Sequence, residues 1–286
     1  MTTHIFTALL CSLLWAGTAI AVKLMGPGIP SPIFVFTRYL FAALFLLPFI
    51  SYKSFIKSRQ HTPIFIALGL CTITTFSCFF LALQRTAATT VSLILALQPI
   101  LTLLTMAIMA RKLPRPREAF SFMLAFAGVV IVITKGGMSA NLFTARIGEL
   151  YALGAVAALV AYSLIIKHIA THFTATVSTF MTCLYGLMFM LPFVLNGEAL
   201  GAAQAVTLTN WGLLAYVGVV GTALAFLLYT RAVTNLGPAT SSMIAYSCMP
   251  LFVFVLAFFI LGDPITYEQI VGGLLVVSAL IVGLRK

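Results

Sequence analysis

Acidic residues are nearly missing from this chain, which has five Asp and Glu in 286 residues against sixteen Lys and Arg. None of the five stands in the middle of an apolar stretch. Glu149 lies near the start of one, and Glu118, Glu198, Asp263 and Glu268 fall in or beside connecting segments. A proton relay or cation site built on a buried carboxylate therefore has no candidate in the sequence. All charged types together make up 7% of the chain and apolar types 62%, which excludes a soluble domain. The five cysteines (Cys11, Cys71, Cys78, Cys183, Cys248) all fall inside apolar stretches, as buried thiols do, so no disulfide framework is expected. The four histidines sit at ends or loops. His168 and His172 have metal-ligand spacing but no acid or cysteine beside them, so no metal site is predicted. No nucleophile–base pair, phosphate-cradling glycine loop or nucleotide motif occurs. The sequence thus offers no enzyme chemistry and calls for no cofactor, and active transport driven by a nucleotide would need another subunit.

What the chain has is apolar length. A helix crossing a bilayer needs roughly 20 predominantly apolar residues, and ten of them with short loops take up about 250 residues. The stretches predicted to span are 5–24, 32–51, 63–83, 87–109, 118–135, 147–167, 174–195, 209–230, 237–261 and 266–284. The residues before the first stretch, MTTHIF, contain no Lys or Arg, so Ala19-Ile20-Ala21 is read as part of a helix and not as a cleavage site. The net charge of +11 suits a membrane topology better than nucleic-acid binding. Eleven Lys and Arg fall in alternate loops and the carboxyl terminus, densest at Arg111, Lys112, Arg115 and Arg117. The opposite side holds only Lys23, Arg85, Lys135 and Arg146. This bias predicts both termini in the cytoplasm.

The stretches also repeat. LFLLPF (Leu44 to Phe49) returns as MFMLPF (Met188 to Phe193), and FLALQRTA ending at Ala87 returns as FLLYTRAV ending at Val233. Pro99 in LALQPILTLL returns as Pro250 in YSCMPLFVFV. The offsets of 144, 146 and 151 residues keep the order of elements. The chain is therefore expected to be an all-α membrane protein of two five-helix repeats, 1–135 and 147–286, joined by a linker at 136–146. An odd number of spans per copy places the second copy upside down, the arrangement of many secondary carriers with a midplane site.

Candidate site residues are the polar, aromatic or kinked positions inside the stretches. Pro99 and Pro250 each remove an amide donor and free the carbonyls of Leu95 and Tyr246, either as packing kinks or as hinges. Gln98, Thr102 and Thr105 share one face, and Ser242, Tyr246 and Met249 share its counterpart in the second half. Gln98 is either interhelical glue or a ligand contact. Trp15 lies too deep for the interfacial belt, in a stripe with Ser12 and Ala19. Tyr162 stands in a similar stripe with Tyr151, Ala155 and Ala158, and Tyr185 is a weaker case. Such rings are expected to be partly unpacked and to face a cavity. Arg38 is the one cation clearly within a span, as a snorkelling anchor, a partner of helix carbonyls or a charge bordering the pathway.

These features resemble the drug/metabolite transporter superfamily, in its ten-helix form with two EamA domains. The resemblance covers the whole chain and rests on LLWAGTAIAVKL, on FTRYLFAALFLLPF and on the run from Ala82 to Thr134, repeated from Tyr229 to Gly283. It implies eight helices around a central cavity, with the fifth and tenth outside as scaffold. It also implies alternating-access export of amino acids or other metabolites across the bacterial inner membrane, with Trp15, Gln98, Tyr162 and Tyr246 lining the cavity. Two departures stand out. Asp263 follows the second proline helix, but Lys112 holds the equivalent place in the first half. Related four-helix exporters carry a Glu eight residues before a first-helix Lys, where this chain has Trp15 before Lys23. The expected partners are a small neutral or aromatic amphiphile and the lipid bilayer, with no nucleic acid. A lipid-linked headgroup flippase and a cationic drug exporter are the alternatives.

Overall fold

The computed structural model describes residues 2–26, 28–111, 116–134, 147–169, 172–195, 201 and 206–284. The expected linker at 136–146 lies outside the described residues, as do Lys112, Arg115, Lys135, Arg146 and Glu198. The described residues are helical, with no strand among them. The first half comprises α1 (Thr2–Met25), α2 (Ser31–Leu46), α3 (Tyr52–Ser58), α4 (Thr62–Arg85), α5 (Ala88–Leu95), α6 (Gln98–Met109) and α7 (Pro116–Thr134). The second comprises α8 (Ile147–Ile169), α9 (Ala175–Val194), α10 (Leu208–Gly218), α11 (Ala225–Leu236), α12 (Pro238–Leu256) and α13 (Tyr267–Leu284). Among the described residues eight helical stretches are long and apolar enough to cross a bilayer, and shorter apolar runs, Ala119–Val132 and Tyr267–Ala279, lie within α7 and α13.

The helices begin where the sequence supplies a start signal. Pro32, Pro63 and Pro238 stand in the first turns of α2, α4 and α12, where the missing amide donor has no intrahelical partner to lose. The Thr174 and Thr207 side chains cap α9 and α10 by accepting from the Val177 and Asn210 amides. A loop was expected after the second stretch, but Ser51 caps the short helix α3, on which Tyr52 and Ile56 are exposed.

Packing repeats between the halves. α4 lies along α8, just as α1 lies along α11, and α2 lies along α9. α7 and α13 pack chiefly on each other, outside the remaining helices. Their crossing is glycine on glycine: a Cβ added at Gly128 would stand 2.7 Å from the Gly272 carbonyl oxygen, and one at Gly272 2.6 Å from that of Gly128. Small residues give lipid-embedded helices this close approach.

The two proline helices differ. Pro99 cannot donate to the Leu95 carbonyl, and the stretch expected as one helix over 87–109 is broken into α5 and α6 by a turn at Ala96 and Leu97. Pro250 is carried inside the continuous α12, and the distortion appears later, as the π-helical turn Ala257–Leu261. A second π turn, Val219–Leu224, separates α10 from α11. The Thr222 hydroxyl donates to the Val217 carbonyl at 3.0 Å, five residues back, closing that wide turn with its own side chain.

Candidate substrate cavity

Trp15 and Leu159 stand near the middles of α1 and α8, and a small cavity of about 40 Å³ lies between them. At ~10–15 Å³ per water it has room for about three waters. Its wall is aromatic and apolar (Trp15, Phe76, Phe79, Phe226, Tyr246, Leu95, Leu159, Met249), and Thr18, Thr75 and Arg38 complete it. Leu95 and Tyr246, each four residues before a proline and matched by the 151-residue offset, both line it. Among the described residues no carboxylate does.

Larger spaces flank this point at the two ends of α8. One of about 720 Å³ is lined by residues including Lys23, Arg85, Glu149, Asp263 and Glu268. There Thr86 donates to Glu149 at 3.2 Å, and Gln269 donates to Thr89 at 2.7 Å. The other, of about 520 Å³, lies between His172 to Thr176 and the end of α11 at Arg231, Thr234 and Asn235. A narrow aromatic centre thus separates two polar mouths.

The Trp15 ring packs on three others, with centroids 5.0 Å from Tyr246 (nearly stacked), 5.2 Å from Tyr229 and 5.4 Å from Phe226. It is only 6% exposed, so the partial unpacking expected of it is not found in this conformation. Tyr162 is wholly buried and meets the Phe226 ring edge-on at 5.4 Å. Gln98 stands behind the wall, fully buried, and donates to Thr102 at 3.0 Å and to Ser163 at 2.9 Å. The Ser163 hydroxyl meets the Tyr229 hydroxyl at 3.0 Å, and Tyr229 meets Ser242 at 2.8 Å. This chain of polar groups ties α6, α8, α11 and α12 together directly behind the aromatic cluster. Tyr185 lies apart from the cavity, 3.0 Å from the Thr62 hydroxyl at the α9–α4 contact.

The hydroxyl chain predicts a measurable stability effect. In a membrane an interhelical hydrogen bond contributes about 0.6 kcal/mol. Tyr229→Phe removes two and should cost about 1 kcal/mol, a fall in Tm of roughly 2–4 °C in detergent. A Tm equal to the parent's would mean that the chain adds nothing to stability.

Arg38, expected in the second span with helix carbonyls among its alternative partners, does meet one such carbonyl. Its side chain is 2% exposed. Nε donates to the Thr222 hydroxyl, and Nη2 donates to the Gly221 carbonyl at 3.2 Å, both on the π turn between α10 and α11. The guanidinium also lies 3.7 Å from the centroid of the Phe76 ring. Gly218 makes the approach possible, since a Cβ there would meet the Arg38 carbonyl oxygen at 3.0 Å. The only trace in the sequence is the pair Gly218 and Gly221; a π turn has no pattern of its own.

A model of the EamA-like transporter family matches the chain twice, over residues 2–134 and 146–284. An uncharacterized transporter of Archaeoglobus fulgidus is 25% identical over 288 residues, covering 96% of this chain and 95% of its own. The uncharacterized transporter YetK of Bacillus subtilis is also 25% identical, over 98% of this chain and 87% of its own. A solved crystal structure superimposes with a TM-score of 0.68 at 16% identity, covering 99% of this chain and 97% of that one, and shares the fold.

Proposed function

The chain belongs to the EamA-like transporter family, and on that premise we propose that it is a secondary carrier working by alternating access. The substrate is a small organic metabolite, and the direction is export, across the bacterial inner membrane, of neutral or aromatic amino acids or similar amphiphiles. In this reading the two repeats, 1–135 and 147–286, supply ten spans in inverted orientation, with both termini cytoplasmic. The observation that supports it most is the narrow aromatic pocket of about 40 Å³ near the middles of α1 and α8, with larger spaces of about 720 and 520 Å³ toward the two ends of α8. That arrangement suits a carrier: a solute held at the midplane has space toward either end, and passage requires rings to part, not chemistry. In this reading transport is uncoupled, because no acidic side chain among the described residues lines the centre.

Solute counterflow in liposomes tests this. Vesicles loaded with unlabelled L-phenylalanine should transiently accumulate labelled L-phenylalanine beyond equilibrium, and a flat trace across aromatic and neutral amino acids would count against the reading. Uphill flux driven by a pH gradient alone would remove the uncoupled part. The break at Ala96 and Leu97 serves as the hinge of the first proline helix. Pro99→Ala restores the donor for Leu95 and should lower the counterflow rate severalfold while leaving half-saturation within about twofold. An unchanged rate would leave Pro99 as a packing kink.

A further inference from the structure

A buried guanidinium with no anion beside it is an unfinished ion pair. Arg38 lines the central cavity, and among the described residues no carboxylate lines that cavity or accepts from the guanidinium. Two of its three nitrogens are committed to the π turn, Nε to Thr222 and Nη2 to Gly221, while the buried Nη1 has no hydrogen-bond partner. Two hydrogen bonds and the Phe76 face, 3.7 Å from the guanidinium carbon, hold the charge, but without a counter-ion its removal from water remains costly. The unpartnered Nη1 in the cavity wall is open to an anion that arrives later.

We infer that Arg38 is the binding site for the carboxylate of an anionic substrate, and that the carrier's preferred cargo is an aromatic monocarboxylate. This inference rests on the carrier reading above and names its substrate class. The two tethers fix the guanidinium plane before binding, so ordering it costs the complex little, and the two N–H groups of Nη1 are left to the incoming oxygen. The Trp15, Tyr246 and Phe226 rings supply faces and edges for the substrate's apolar body. The same charge works against the alternative cargo. An organic cation entering this centre would meet an uncompensated guanidinium and no carboxylate, an arrangement that rejects it.

The test uses three probes with the same ring and nearly the same length: 3-phenylpropionate, 3-phenylpropionamide and 3-phenylpropylamine, titrated at pH 7 against the detergent-purified full chain by thermal shift. At that pH the first is an anion, the second neutral and the third a cation. The expected result is that the acid binds at least tenfold more tightly than the amide and that the amine is weakest. In Arg38→Gln the acid-to-amide ratio should fall to about one. In Arg38→Lys, which keeps the charge but loses the fork, a preference of severalfold should remain. A residue that merely braces the π turn could alter stability in both variants, but it would not set the charge preference of a ligand. Should Arg38→Gln fail to fold, the wild-type ratio and Arg38→Lys still decide the matter. Equal binding of acid and amide by the wild type would overturn the inference while leaving a carrier of neutral amphiphiles standing, and preference for the amine would overturn it in favour of cation export. If none of the three binds while L-phenylalanine counterflow is present, the carrier reading survives and the Arg38 site does not. If both fail, the placement of the substrate in this cavity fails with them.

Discussion

Leucine at Gly272 should cost the protein about 3 kcal/mol or more, seen as a fall in Tm of roughly 6 °C or more and a loss of monodisperse material in detergent. The reason is local and steric. The atom that an added Cβ would meet at 2.6 Å is the Gly128 carbonyl oxygen, which belongs to a helix backbone and cannot swing aside as a side chain can. Relief requires α7 and α13 to separate, and each packs chiefly on the other. Lipid offers no hydrophobic drive to hold them together once that close contact is lost. Alanine at either glycine should give a smaller loss, and the double alanine variant should cost less than the sum of the two, because both side chains press on one crossing. Gly273 is the control: a Cβ there stands 3.5 Å from the nearest atom, in Leu93, so Gly273→Ala should leave the Tm within about 1 °C. If Gly272→Leu melts with the parent, the crossing is not a close-packed one in the membrane protein.

That crossing also shows what a sequence of this kind discloses. Its order of apolar stretches, its repeats and its proline positions were legible because lipid imposes length, and because duplication leaves copies at nearly constant offset. Gly128 and Gly272 are themselves related by the 144-residue offset of the LFLLPF copy. The resemblance placed the fifth and tenth spans outside, and α7 and α13 are found paired there. Side-chain roles were less legible. Trp15, Tyr246, Met249 and Arg38 come together at the cavity, whereas Gln98 turns to Ser163 and Tyr185 to Thr62. All six are polar or large residues within spans, and spacing along one helix cannot say which neighbouring helix each will meet. The π turn at Val219–Leu224 was invisible for a different reason: it comes from a helix adding one residue to a turn, so that Thr222 and Gly221 face Arg38. The matched prolines predict a pair of packing kinks or hinges, yet only Pro99 breaks its helix at the site. A proline removes one donor wherever it stands, but its neighbours decide whether the helix breaks or carries it.

Trp15→Ala should be the most damaging single change at the cavity, and its effect should divide into two parts. The first is packing. A ring that is 94% buried against Tyr246, Tyr229 and Phe226 cannot be removed without a void, and truncating a buried Trp costs about 3–5 kcal/mol. Folded yield and Tm should therefore both fall, contrary to what a half-unpacked ring would give. The second part is binding, and Trp15→Phe isolates it. Phenylalanine keeps an aromatic face toward Tyr246 and should hold stability to within about 1.5 kcal/mol. It loses the wider indole face, and with an aromatic contact contributing about 0.5–1.5 kcal/mol, affinity for an aromatic ligand should drop about twofold to tenfold. Thermal shift separates the two parts in one titration: the ligand-free Tm reports packing, and the ligand-induced rise reports affinity, since a ligand at 100 times its Kd adds about 2.7 kcal/mol to the folded state. A Trp15→Phe protein with an unchanged ligand-induced rise would mark Trp15 as a packing residue beside the path of the substrate. A lower ligand-free Tm with a reduced rise would place the indole in both roles, filling the space among Tyr246, Tyr229 and Phe226 when no ligand is bound and contacting the ligand when one is.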